Sequence, residues 1–198
     1  MPSEPLILGF DTSAAHCAAA LLRGDDILVS RLEEMKRGQA ERLMVLLEEV
    51  LTEGNTAWAD LDAIGVGIGP GNFTGIRIAV SAARGLALGL NIPAVGVTGF
   101  DARAHEGVLA AVPAPRDQAY AALPGEAPRL MPLKEAGDAA RGAGLALACE
   151  ASPAGIAEAI ARCAAARFRT ETDAPAPLYL RSADAAPMRD APPALLDG

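Results

Sequence analysis

Apolar and polar positions fall into short blocks at the start of the chain. Leu6 to Phe10 is an apolar run that stops at Asp11-Thr12-Ser13, His16 to Leu22 is a second run, and Ile27 to Leu32, after the turn Gly24-Asp25-Asp26, is a third. Short runs joined by tight polar turns predict an antiparallel three-stranded meander. From Gln39 to Glu53 the period changes. Leu43, Leu46, Leu47, Val50 and Leu51 recur at i, i+3, i+4, i+7 and i+8, with Glu48, Glu49 and Glu53 on the other side. That pattern is an amphipathic helix, ended by Gly54-Asn55. Asp62 to Ile68 then reads as a fully apolar strand, and the turn Gly69-Pro70-Gly71 feeds a helix from about Thr74 to Leu90. Asn91-Ile92-Pro93 stops it, and Ala94 to Val97 is a further short buried strand.

Strand-strand-strand-helix-strand-helix-strand is the order of a ribonuclease-H-like lobe, an α/β sheet with mixed strand directions. The second half repeats the opening weakly. "VLAAVPAPRDQAYAAL" is again an apolar strand, a polar turn and a second strand. Pro132 to Arg141 predicts a short helix, Ala143 to Glu150 a buried strand, and Pro153 to Phe168 an alanine-rich helix. "TDAPAPLYLR" is held extended by its prolines. The expected organisation is a first lobe at 1–100, a reduced second lobe at 101–181 and a loose Pro/Ala-rich tail at 182–198.

Composition narrows the classes. Apolar residues make up 51% of 198, but aromatics only 4%, so the cores must be built from Leu, Ile, Val and Ala. The net charge is −8, with 25 acidic against 17 basic residues and only two lysines, Lys36 and Lys134. A chain that grips nucleic acid by itself usually carries a basic face, so direct nucleic-acid binding is disfavoured, though a partner could supply it. Cys17, Cys149 and Cys163 show no CxxC spacing, which fits a reducing compartment. "MPSEPLILGFD" lacks a basic leader region, and no apolar run approaches the roughly 20 residues of a membrane span. The expected location is the cytoplasm, away from membranes.

The Gly-Pro-Gly loop precedes a helix N-terminus, a geometry that can hold a phosphate. It can equally be a tight crossover needing glycine for positive φ, and it lacks the lysine of a Walker loop. Asp11 ends the first strand, where an Asp can hold a metal or phosphate or can cap local amides. His16 and His105 have no His or carboxylate at i+3 or i+4, so no metal site is expected, and no G-x-S-x-G elbow suggests a nucleophile. The Thr74–Leu90 helix is apolar almost all round, with small-residue stripes at Ala82, Gly85, Gly89 and at Ala79, Ala83, Ala87. Small residues admit a second helix closely, so this helix and Gln39–Glu53 are expected to form a subunit interface.

"GPGNFTGIRIAVSAARGLALGL" resembles the hallmark of the bacterial TsaB (YeaZ) family, "ILGFDTSAAHCAAALL" resembles that family's first hairpin, and "PAPLYLR" its closing segment. The resemblance is strong over 6–100, patchy over 101–170 and returns at 175–181. It implies an actin-like ATPase fold of two ribonuclease-H-like lobes. It also implies a non-catalytic subunit in making N6-threonylcarbamoyladenosine at position 37 of tRNAs that read ANN codons. Such a subunit pairs with the catalytic, metal-bearing paralogue TsaD and with the ATPase TsaE, and meets tRNA only through that complex. The interface expected from the resemblance and the stripes is Arg42, Leu43, Leu46, Arg77, Ile78, Ser81, Ala82, Gly85 and Gly89. No cofactor is assigned to the chain itself. A vestigial nucleotide contact, with ATP or ADP at the complex junction, would use Asp11, Thr12, Gly69 and Gly71. A homodimer of the isolated chain is left open.

Two rivals remain. A self-sufficient ATP-dependent transferase of the same fold would need a carboxylate in each lobe, and the second lobe offers only weak candidates such as Asp117. A peptidase would need a metal-ligand helix or a nucleophile motif, and the sequence offers neither.

Overall fold

The computed structural model describes residues 4–123, 125–151 and 155–180. The tail expected at 182–198 lies outside them. The N-terminal meander forms as the alternation predicts: β1 Leu6–Asp11, β2 His16–Arg23 and β3 Asp26–Glu34. After them come α1 Gln39–Glu53, β4 Ala63–Gly67, α2 Phe73–Leu90 and β5 Ala94–Val97. The five strands make one sheet in the order β3-β2-β1-β4-β5. The meander is antiparallel, and β4 and β5 join parallel to β1. A helical crossover separates β4 from β3 and another separates β5 from β4, as parallel neighbours require.

Side-chain size alternates with the pleat. Leu6, Leu8 and Phe10 of β1, Leu21 of β2 and Ile64 and Val66 of β4 share one core with α1 and α2. The opposite face carries Ile7 and Leu22 but is small at its centre, where Gly9 pairs in register with Gly65. A Cβ on Gly9 would collide with the Ala157 carbonyl and Ala161, and one on Gly65 with Ala164. That face is covered by α4, Ile156–Arg167, which packs on β1, β4 and β2.

The second sheet runs β8-β7-β6-β9, from β6 Val108–Ala114, β7 Gln118–Ala121, β8 Arg129–Pro132 and β9 Ala146–Ala148. Its helix is α3, Leu133–Gly142. Three expectations change here. The strand expected at 143–150 shrinks to three partly exposed residues at the sheet edge. β8 was not foreseen. The helix assigned to the second lobe, α4, belongs to the first sheet, because Gly9, Gly65 and Ala18 leave a shallow face that a helix of alanines can approach. After α4 the chain returns to the first sheet, and the Leu178 amide donates to the Ile68 carbonyl at 2.8 Å.

α2 also has the length and mean hydropathy, 1.3 over 18 residues, of a membrane span. Its Ile76, Ala79, Val80 and Ala83 face the chain's own core, and 28% of the helix is buried in that packing.

Candidate functional site

The C-terminal ends of β1 and β4 open onto a cleft between the two sheets, the usual place for a ligand in an open α/β sheet. Asp11 lies there, 1% exposed. Its Oδ2 accepts from the Ser13 amide at 3.0 Å and the Ser13 hydroxyl at 2.9 Å, and lies 2.7 Å from His16 Nε2. His16 was passed over because metal spacing was sought at i+3 and i+4. Across a hairpin, however, residues flanking the turn converge, and Asp11 and His16 are five apart on either side of it. Both Ser13 and His16 bond the carboxylate, so the three do not form a nucleophilic relay, in which the base must contact the hydroxyl.

Thr12 is fully buried, and its hydroxyl donates to the Gly75 carbonyl at 2.7 Å. Gly69 adopts φ 99°, a left-handed backbone that glycine tolerates. Gly71 and Gly75 do something different. A Cβ on Gly71 would overlap the Ser13 carbonyl, and one on Gly75 the Thr12 carbonyl. The Asn72 amide donates to the Ser13 carbonyl at 2.6 Å. The Asn72 side chain caps α2 by accepting from the Gly75 amide at 2.8 Å. The loop is thus clamped against the chain's own 12–13 segment, and the Asn72 and Gly75 amides, which a phosphate would need, are taken by the Ser13 carbonyl and the Asn72 side chain. Of the four nucleotide candidates, Asp11, Gly69 and Gly71 line the cleft, whereas Thr12 is committed to α2. Among the described residues no cluster of three His, Cys, Asp or Glu could hold a metal.

The helix pair divides the interface candidates. Leu43 and Leu46 are 1% and 0% exposed and lie in the chain's own core, which corrects their assignment to a partner surface. The i, i+3, i+4 stripe that marked them is the sheet-facing side of α1, and Met44 and Val45 stand outward beside it. Arg42 is engaged at home: its guanidinium donates to Glu33 at 2.6 and 2.7 Å and to Glu49, holding both carboxyls below the usual range. Arg77 donates from Nε to the Tyr179 hydroxyl at 2.9 Å and lies 3.9 Å over the Phe73 ring, a cation–π contact. Phe73 and Tyr179 are themselves 4.9 Å apart. Sequence reading missed this stack, although "PLYL" carried its aromatic.

On α2, Ile78 and Ala82 are half-buried against the core, whereas Ser81, Gly85, Leu88 and Gly89 face outward. A Cβ on Gly85 or Gly89 would meet nothing within 4 Å, and Leu88 is 86% exposed.

This arrangement has known counterparts. The family TsaD, tRNA N6-adenosine threonylcarbamoyltransferase, matches residues 33–123. The chain is 37% identical over 92 residues to the tRNA threonylcarbamoyladenosine biosynthesis protein TsaB of Escherichia coli K12, covering 46% of this chain and 39% of that protein. The TsaB of Haemophilus influenzae is 32% identical over 123 residues, 58% and 51% of the two chains. A Jannaschia protein named tRNA N6-adenosine threonylcarbamoyltransferase is 37% identical over 115 residues, 48% and 32% of the two. The chain spans about half or less of the length of these curated relatives. The solved structure of YeaZ from Pseudomonas aeruginosa superposes with a TM-score of 0.66 at 28% identity, over 89% of this chain and all of that one. With its mixed β3-β2-β1-β4-β5 sheet and second sheet in tandem, this α/β chain has the actin-like, ribonuclease-H-like fold, and over about half of its length it is similar to the TsaB (YeaZ) proteins.

Proposed function

We propose that this chain is a non-catalytic subunit in making N6-threonylcarbamoyladenosine at position 37 of tRNAs that read ANN codons. It would act in the cytoplasm by pairing with a TsaD homologue, the catalytic paralogue, in a complex that TsaE joins and through which tRNA is met. The observation that carries this reading is the outward side of α2. Gly85 and Gly89 present bare backbone to open space beside Leu88, and small residues flanked by an exposed leucine allow a partner helix to pack closely. The relatives named TsaB supply the pathway. The clamped loop supports the non-catalytic role, since the Ser13 carbonyl takes the Asn72 amide and the Asn72 side chain takes the Gly75 amide, two donors that a transferred phosphate would need. The lobe boundary near residue 100 belongs to the same proposal.

The test is co-purification with the TsaD homologue of the same organism, with tRNA modification measured for each chain alone and together. Gly85→Trp should abolish pairing while leaving the isolated chain's unfolding free energy unchanged within about 0.5 kcal/mol, as for a surface change. It is a cleaner variant than Ala82→Trp, whose site is partly packed on the core. Modification by this chain alone would favour the transferase reading instead.

A further inference from the structure

Arg103 differs from the other partly buried arginines. Arg42 meets Glu33 at 2.6 Å and Arg167 meets Asp101 at 3.1 Å. Arg103 meets backbone instead: Nε donates to the Cys149 carbonyl at 2.6 Å and Nη1 to the Gly99 carbonyl at 2.8 Å. Among the described residues no carboxylate forms an ion pair with it. Burial is the main influence on its guanidinium and presses its pKa down, while Asp11 and Glu150 act on it through space in the opposite sense. A guanidinium keeps its proton in proteins, and a charge withdrawn from water is ordinarily paired. Two carbonyls use two of its five N–H groups, and the group lines a cavity of about 260 Å³.

That cavity carries both signs. Asp11 and Glu150 stand on its wall together with Arg103 and His16. His16 and Ser13 engage Asp11 through Oδ2, whereas Oδ1 lies beside Gly67, where a Cβ would displace it. A phosphate would meet one guanidinium but also two carboxylates, and a simple cation would meet Arg103. A small molecule carrying both charges satisfies both sides. The volume lies below the roughly 300 Å³ at which drug-sized sites begin. We propose that this cavity binds a free zwitterion of amino-acid size, with its carboxylate on Arg103 and its ammonium group toward Asp11 and Glu150. The inference does not depend on partner pairing.

The experiment is calorimetric titration of the full chain with glycine and L-serine, set against acetate, methylammonium and inorganic phosphate. One of the two amino acids should bind saturably with a Kd of about 1 mM or tighter, and the three single-charge probes at least about tenfold more weakly. Arg103→Gln and Glu150→Gln should each weaken amino-acid binding about tenfold or more. Glu150 is exposed, so its variant should stay folded even if the Arg103 variant does not. Absence of saturable amino-acid binding would overturn the proposal, as would phosphate or acetate binding as tightly, or affinity unchanged by Glu150→Gln.

Discussion

The first sheet packs α1 and α2 on one face and α4 on the other, and its core holds Phe10, Ile7, Leu8, Leu46, Ile64 and Ile76 at 2% exposure or less. The second sheet packs α3, and its core is Ala111, Ala119, Ala121, Ala136 and one large side chain, Met131. A buried methylene contributes roughly 0.8 kcal/mol, so leucine and isoleucine layers stabilise far more than alanine layers of equal count. The difference teaches that the first sheet carries the stability of this chain. The second completes a cleft wall through Val112 and Pro113 and leans on the first through the Arg103 bonds to Gly99 and Cys149.

The comparison can be broken most forcefully at Gly75. The Thr12 carbonyl, which a methyl there would overlap, is backbone and cannot swing aside. Gly75→Ala should therefore cost about 3 kcal/mol or more, read from urea unfolding, and a near-neutral result would show that the junction of α2 with the 12–13 segment is soft.

Core truncations compare the two sheets directly. Leu46→Ala should cost about 3 kcal/mol and Met131→Ala about 2 kcal/mol or less, because the thin alanine layer can close over the gap. Equal losses would mean that the second sheet is packed as rigidly as the first.

The smallest effect concerns the seam between α4 and the segment after β5. Asp101 Oδ2 accepts from Arg167 Nη1 at 3.1 Å and from the Thr98 amide at 3.2 Å. Burial alone would raise this carboxyl, but the Arg167 and Thr98 bonds hold it below the usual range. A carboxyl depressed in the folded state stabilises above its unfolded pKa, about 3.9. That contribution is lost as pH falls through the lower folded value. Asp101→Asn should thus be less stable by about 1 kcal/mol at pH 7, and the gap to the parent chain should close below about pH 4. A gap that persists in acid would show that geometry rather than charge matters at this seam.

Much of the first lobe was legible because its signals are local. α1 spans Gln39–Glu53 and β5 Ala94–Val97, as the hydrophobic period and the flanking Gly and Pro positions indicate. β8 was not legible, since four residues beside a proline and a glycine-containing loop carry no period. The small positions Gly9, Ala18, Ala20 and Gly65 were visible and, alternating with Leu8, Phe10 and Ile64, could have announced a close-packed helix. Which helix filled that face could not be read from spacing.

The sequence by itself determined the order of elements in the first lobe, the motif at Gly69–Ile78 and the small-residue stripe on α2, because each depends on neighbours within a turn or two. Tertiary structure alone decided three other matters. It turned Leu43 and Leu46 inward, it placed α4 on the first sheet, and it brought His16 to Asp11 and Arg103 to their shared cleft. Those outcomes depend on contacts between residues distant in the chain or folded across a hairpin, where side-chain size and charge are matched in space rather than along the backbone.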